Sequence, residues 1–282
     1  MKNAIIAATD AKYGDFLIQN WLGSLKWNVN LSNIDIIVLD FGMTSSQLER
    51  LKLEKVKVVR CERNGHVTIL RWRDMVNFLE KHKYGQVLSS DGGDIIFQED
   101  ISVLFNKNKN EIRVATEDYN IPFEDIFSKN YFTPENVEKI KGTLRGKRMI
   151  NAGIIVGSKK KFIELGKKLN EILIDKSAFG PEQVAVNYIL YTSSFVTLDN
   201  KYNYVVSSAK HGFHVEDGVF YFARTNEKIP IVHNAGNHPI FRPIRNFGFG
   251  KGHNQVKMVT YYIVRAILIA GQAISNFVKG FG

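Results

Sequence analysis

The sequence predicts an α/β fold with a mixed, mainly parallel sheet flanked by helices. Apolar runs of strand length alternate with helix-period segments through the first half of the chain, the pattern of βαβ crossovers. Several of those runs close on Thr or Asp at the point where such sheets bind ligands, beyond the carboxyl ends of the strands. A chain of 282 residues, 44% hydrophobic and 23% charged with only 6 Pro, can bury a large core and is neither disordered nor collagenous.

Taken in order, residues 3–8 (NAIIAA) form a short apolar run ending in Thr9-Asp10. Residues 15–27 place Phe16, Leu17, Trp21, Leu22 and Leu25 at helical spacing. Residues 34–40 (IDIIVLD) read as a buried strand closing on Asp40. Ser45 or Ser46 caps the next helix, with Glu49 at capping-box distance from Ser46. Residues 56–62 make a third strand and 71–82 a helix, with Arg71 and Arg73 at its start. Residues 86–90 make a fourth strand, ending in Asp91-Gly92-Gly93-Asp94. In the second half, 112–118 and 151–158 read as strands, and 159–174 and 181–191 as helices, the latter opened by Pro181. Residues 120–148 are polar and without a clear period, and they carry the basic stretch KIKGTLRGKR. Short strands follow in FVTLD, GVFYFA and IPIVHNAG, then a helical pattern from 254 to 279. With no repeat and no linker, the division expected is one domain over 1–250 and an amphipathic helix over 251–282.

Charge is unevenly placed. The formal balance is +10, from 38 Lys+Arg against 28 Asp+Glu. Glu227 is the last acidic residue, and seven basic residues follow it; residues 1–227 hold the other 31 against all 28 acids. The single cysteine, Cys61, excludes an internal disulfide and a cysteine-based zinc cluster. The opening MKNAIIAATD has too short an apolar run for a signal peptide, and no run of 18 apolar residues exists. A cytoplasmic protein is expected.

Thr9-Asp10, Asp40, Asp91 and Asp94 gather carboxylates on one rim. Two carboxylates three apart on a glycine turn suit Mg²⁺ or Mn²⁺, completed by waters and diphosphate oxygens; the alternative is an Asp/Gly turn with no metal. His233, at the end of an apolar strand, can be a third ligand beside them, or a structural histidine. Arg71 can pair bidentately with phosphate, or lie solvated on the surface.

The order of these fragments resembles the GT-A glycosyltransferases, and most closely the family-8 group of retaining, metal-dependent enzymes with nucleotide-sugar donors. The resemblance runs from about residue 3 to about 245, and 119–148 is its weakest stretch. Asp91 and Asp94 look like the family's Asp-x-Asp pair, widened here to Asp-x-x-Asp. Asn151-Ala152-Gly153 is similar to its Asn-x-Gly segment, and Pro181-Glu182-Gln183 with Asn187 to its Asp-Gln-x-x-x-Asn helix, with Glu182 in place of Asp. His233-x-x-Gly236 resembles the His-x-x-Gly-x-x-Lys-Pro segment, with His238 before Pro239 where the Lys would be. The resemblance implies metal ligation by Asp91, Asp94 and His233, and donor contacts from Thr9, Asp10, Asp40, Arg71, Asp91, Gly236 and His238, with Arg242 or Arg245 standing in for the Lys. It implies Gln183, Glu182 and Asn151 near the anomeric carbon. The reaction implied is retaining transfer of a hexose from a UDP-sugar, with Mn²⁺ or Mg²⁺, to a glycan or glycolipid hydroxyl, in bacterial surface polysaccharide or glycolipid synthesis. An acceptor loop is implied over 120–148.

Over 254–279, Asn254, Lys257, Tyr261, Arg265, Gln272, Ser275, Asn276 and Lys279 share one 100° arc, and nearly everything else is apolar. So wide an apolar face is expected to bury itself on the preceding domain, on a second copy, or in an anionic membrane interface at the inner face of the membrane. Many bacterial sugar transferases that this chain resembles act on lipid-linked acceptors, which favours the membrane. Three rivals fit less well. A sugar-nucleotide nucleotidyltransferase needs a Gly-rich basic loop after the first strand, and ATDAKYGDF lacks one. A dinucleotide dehydrogenase needs Gly-x-Gly-x-x-Gly there. Nucleic-acid binding needs stacking aromatics among the tail's charges, where aliphatics dominate instead.

Overall fold

A computed structural model describes residues 1–119, 131–236 and 242–279. The chain runs β1 (Asn3–Thr9), α1 (Ala11–Phe16), a π-helical stretch Leu17–Leu22 continuing into α2 (Gly23–Asn28), β2 (Ile34–Asp40), α3 (Ser45–Leu53), β3 (Lys57–Arg60), α4 (Val67–Lys81) and β4 (Gln86–Asp91). It continues through β5 (Ile95–Phe97), β6 (Ile112–Thr116), α5 (Pro134–Leu144), β7 (Ile150–Ser158), α6 (Lys159–Ile172), α7 (Pro181–Tyr191) and β8 (Phe195–Thr197). The last part holds β9 (Tyr204–Val205), β10 (Phe213–Glu216), β11 (Val219–Phe222), β12 (Ile231–His233), β13 (Ile244–Arg245), β14 (Gln255–Val256) and α8 (Met258–Lys279).

The central sheet has the order β3-β2-β1-β4-β7-β6-β8. Its β3-β2-β1-β4 half is parallel, as the βαβ alternation requires, whereas β7 runs antiparallel to both β4 and β6. Successive residues point to opposite faces. Ala4, Ile6, Ile37 and Leu39 pack against α4 to α7, while Ile5, Ala7, Ile36 and Val38 pack under the α1–α2 helix. Burial on both faces explains why these strands read as continuous apolar runs. Thr9 is level with Asp40, and Ala8 with Asp91, so the parallel strands end on one rim. Because β7 runs the other way, its first residues arrive at the same rim.

Four elements depart from the sequence-based expectation. Helix α3 is capped by Thr44 with Gln47, a capping box two residues earlier than Ser46 with Glu49. Helix α4 begins at Val67 because the His66 imidazole accepts from the Thr68 N–H, a cap that few sequences supply with histidine. Arg71 and Arg73 therefore lie in the second turn of the helix rather than at its start. Part of the supposedly patternless 120–148 forms α5, with Thr133 as cap, Pro134 in the first turn and Val137, Ile140 and Leu144 buried on one face. Finally, residues 255–256 form a strand, so the terminal helix starts at Met258 rather than 254.

That helix is also docked the opposite way round from a normal surface helix. Its polar arc faces the body. Lys257 Nζ donates to the Arg242 carbonyl, the Tyr261 ring meets Phe213 edge-on at 5.5 Å, and Arg265 Nη1 donates to the Ala209 carbonyl at 2.7 Å. The apolar residues point outward: Val259 is 74% exposed, Tyr262 61%, Ile267 54% and Ile269 55%. Packing of the apolar face on the preceding domain is thus not what the structure shows. Among the described residues, no helix is long and apolar enough to cross a membrane.

Candidate active site

Strand β4 delivers Asp91 to the rim, and Gly92-Gly93 turns the chain at once into β5. Both glycines are needed for room: a Cβ at Gly92 would lie 2.7 Å from Leu17, and one at Gly93 2.9 Å from the Tyr13 ring. Strand β5 pairs antiparallel with β12, setting His233 opposite Ile95, the residue after Asp94. The Asn234 N–H closes the corner on the Asp94 carbonyl at 2.9 Å. A short secondary sheet therefore joins two residues 139 positions apart in sequence, a pairing that the strand ends alone do not predict.

Asp91, Asp94 and His233 converge, with ligand atoms within 4.8 Å of one another. His233 Nε2 lies 3.4 Å from Asp94 Oδ1 and 3.9 Å from Asp91 Oδ2. Each aspartate gives its other oxygen to an arginine: Asp91 Oδ1 to Arg71, and Asp94 Oδ2 to Arg242 at 2.9 Å. The oxygens left over face the imidazole. On the far side of the ring, His233 Nδ1 is 3.0 Å from Asn203 Oδ1, an acceptor, which places the proton on Nδ1 and frees the Nε2 lone pair. Space for the ring comes from Gly153, where a Cβ would fall 2.4 Å from His233 Cε1. Two hard oxygens and one imidazole nitrogen, at separations a single ion can bridge, fit Mn²⁺ or Mg²⁺.

Hydrogen bonds continue inward. Asn203 Nδ2 donates to Asn151 Oδ1 at 3.0 Å, Asn151 Nδ2 donates to Glu117 Oε1 at 2.7 Å, and Ser208 Oγ pairs with Glu117 Oε2. Glu117 is almost fully buried, and burial holds its carboxyl above the ordinary range although both partners favour the charged form. Burial also works against charge on Asp94 and His233. The pair resists it together: the imidazole and Arg242 pull Asp94 below the usual carboxylate range, and Asp94, Asp91 and Glu117 raise His233. Glu182, buried beside them, is raised by desolvation and held by Arg71 Nη2 at 2.7 Å.

The other sequence-predicted residues sit as follows. Thr9 is buried at the end of β1, and Asp10 caps α1 and pairs with Arg63 at 3.0 Å. Asp40 Oδ1 accepts from the Gly42 and Met43 N–H groups, so that oxygen shapes the turn after β2. Gln183 spends both ends of its amide on the β7 backbone, accepting from the Ala152 N–H and donating to the Ile150 carbonyl. Asn187 does the same at Ile150. Gly236, at φ 144°, receives Arg242 Nε on its carbonyl. Arg245 is exposed on β13, and His238 lies outside the described residues. Glu117, Asn203 and Ser208 escaped the sequence reading. Glu117 alone had a signal, as a carboxylate just past a strand end; the other two declare themselves only through contacts 30 to 91 residues apart.

No protein-family model matches the sequence, and no curated protein is close enough to it to be matched. Solved structures do resemble it. The glycosyltransferase GlyE of Streptococcus pneumoniae TIGR4 matches 99% of this chain at TM-score 0.54 and 18% identity. The galactosyltransferase LgtC, in complex with donor and acceptor sugar analogs, matches 94% at TM-score 0.55 and 16% identity. The bifunctional glycosyltransferase WbbM matches 85% at TM-score 0.56 and 14% identity. The chain spans 96% of the LgtC structure, 64% of GlyE and 46% of WbbM. These likenesses establish the GT-A fold.

Proposed function

We propose that this chain is a metal-dependent glycosyltransferase that moves a hexosyl group from a nucleotide diphosphate sugar, of the UDP type, to a hydroxyl acceptor. One observation carries the reading: a GT-A sheet brings Asp91, Asp94 and His233 together at its ligand-binding rim, with arginines on two sides. Donor and acceptor sugar analogs bound to LgtC agree with a sugar-transfer site on this fold.

A divalent ion held by Asp91, Asp94 and His233 would supply Lewis-acid neutralisation of a departing diphosphate. The chain's own residues do the rest. Arg71 and Arg242 fix the two aspartates so that one oxygen of each points inward, at no reorganisation cost when charge develops. Asn203 holds the imidazole in the tautomer that can ligate. Seven described carboxylates at the rim are ion-paired or hydrogen-bonded: Asp10 to Arg63, Asp40 to backbone, Asp91 and Glu182 to Arg71, Asp94 to Arg242, Glu117 to Asn151, Asp118 to Asn200. Retention, with the leaving oxygen taking the acceptor's proton, needs no strong protein base, and it is the reading we adopt from the resemblance to family-8 enzymes. Residues 1–250 would then form the catalytic domain.

For the acceptor we propose a glycan or glycolipid reached at the inner membrane face, as in surface polysaccharide or glycolipid synthesis. The outward apolar face of α8 and the acid-free, basic stretch after Glu227 support a membrane-facing edge.

The test is calorimetry with UDP, UDP-glucose and GDP-mannose, with and without Mn²⁺, paired with donor hydrolysis by wild type and Asp94→Ala. Mn²⁺-dependent binding of a UDP-sugar is expected, with hydrolysis lowered at least about a hundredfold in the variant. Metal-independent binding, or hydrolysis within about threefold of wild type, removes the proposal.

A further inference from the structure

The β6–β8 edge of the central sheet holds a cavity that the rim chemistry does not use. It measures about 210 Å³ and is walled by Val103, Leu104, Val196, Leu198 and Tyr202, with Arg113 among its lining residues. Strand β7 lies between β4, which carries Asp91, and β6, which carries Arg113. Gln86, which contacts Arg113, begins β4, and Asp91 ends it, about 17 Å away at the usual rise per residue.

Arg113 is 1% exposed. Its Nη1 donates to the Leu104 and Lys107 carbonyls, its Nη2 to Gln86 Oε1, and its Nε–H has no partner. Among the described residues no carboxylate pairs with it. Asp199, the one acid in the lining, is exposed and turns its Oδ1 to the Lys201 N–H. A buried cation without a counter-charge is costly, and burial pulls the guanidinium down to about 10. Lys107, exposed beside the cavity, adds a second positive charge. An apolar cavity of about 150 Å³ is known to hold benzene, so this one has room for a ring or short chain bearing an acid group.

We propose that this cavity binds a compact organic carboxylate, its anionic end neutralising Arg113 and its apolar body lying against Val103, Leu104, Val196, Leu198 and Tyr202. The cavity lining shares no residue with the metal group, its nearest link being Tyr202 next to Asn203, and the proposal does not depend on what the rim catalyses.

The probe is benzoate, titrated calorimetrically into the full-length chain, with benzyl alcohol as the neutral analogue and inorganic phosphate as the anion without a body. One saturable benzoate site is expected, with benzyl alcohol at least about tenfold weaker, the cost of losing one charge-assisted contact. Saturating UDP and Mn²⁺ should leave benzoate affinity unchanged. Leu198→Trp fills the cavity while keeping Arg113 and all its hydrogen-bond partners, and it should abolish binding; Arg113→Met should do the same where it folds. Absence of saturable binding, equal binding by Leu198→Trp, or displacement by UDP overturns the proposal. Phosphate binding tighter than benzoate overturns the assignment of an apolar ligand body.

Discussion

Two buried arginines mark the two ends of this sheet, and they are built on opposite principles. Arg71 at the rim and Arg113 at the far end are 5% and 1% exposed, and each leaves its Nε–H without a partner. Arg71 is met by two carboxylates, Asp91 and Glu182, and its affinity for its proton rises. Arg113 is met by two carbonyls and an amide oxygen, and its pKa falls to about 10. Burial is the same; the counter-charge decides. At the rim, charge is balanced within the protein and organised around His233. At the far end, the balancing charge is missing beside a cavity.

The largest effect should separate these two residues directly. Arg71→Met leaves Glu182 buried without its cation, and breaking such a pair costs about 3–5 kcal/mol. For a chain of this size that corresponds to a fall in melting temperature of about 5–8 °C. Arg113→Met also loses hydrogen bonds, but it removes an uncompensated charge, so its cost should be smaller by at least about 1 kcal/mol. Thermal melts of both variants at neutral pH give the difference, and equal losses would break the comparison.

Next comes Gly153→Ala, aimed at the geometry of the rim alone. The added Cβ would lie 2.4 Å from His233 Cε1 and 2.9 Å from Asn151 Oδ1, so the imidazole must shift. Displacing a ligand of this kind typically costs about 10–100-fold in metal affinity, with about 1–3 kcal/mol of overpacking. A Mn²⁺ titration on the folded variant measures it. Unchanged affinity would mean that the ion does not sit where Asp91, Asp94 and His233 converge.

A smaller effect, visible only as a pH trend, belongs to Glu117. Burial raises its folded pKa above the ordinary 4.5. The stability it contributes is therefore complete below 4.5 and declines as pH rises through the folded value. Glu117→Gln keeps the partners Asn151 and Ser208 but carries no charge. The variant should match wild type near pH 4 and melt higher than wild type at pH 8. Parallel melting curves across that range would place Glu117 in a better-compensated environment than its hydrogen bonds suggest.

How far the sequence could be read depends on how local each cause is. Strands β1, β2 and β4 were legible because both faces are buried, giving unbroken apolar runs, and α7 because Pro181 opens an apolar stretch. Strand ends marked Asp91, Asp94 and His233 as candidates one by one, but only the order of motifs, through the family resemblance, joined them as one group. Helix α5 was passed over although Val137, Ile140 and Leu144 keep helical spacing, because the lysines around them dominate the segment. The true start of α4 hid behind a histidine cap. Gly153, Asn203 and Ser208 matter through atoms brought together by the sheet, and no local pattern encodes that. The periodicity of α8 was legible; which face docks was not, since the pattern says where the apolar face lies on the helix and not what that face meets.

That face supplies the smallest expected change in stability. Arg265 is a third arginine to compare, and like Arg113 it meets no carboxylate among the described residues; it rests on the Ala209 and Lys210 carbonyls and over the Tyr261 ring, but it is only half-buried and water can screen it. Its inward position turns Ile263 and Ile267 outward, 46% and 54% exposed. Substitution of both by Glu touches nothing in the body of the protein, so melting temperature should hold to within about 0.5 kcal/mol of stability. Flotation on vesicles rich in anionic phospholipid should be lost, because two apolar anchors become charges of the same sign as the headgroups. Wild-type chain that fails to float would remove the membrane from the proposal. Wild-type chain that elutes as a dimer, with the double variant monomeric, would assign the face to a second copy instead.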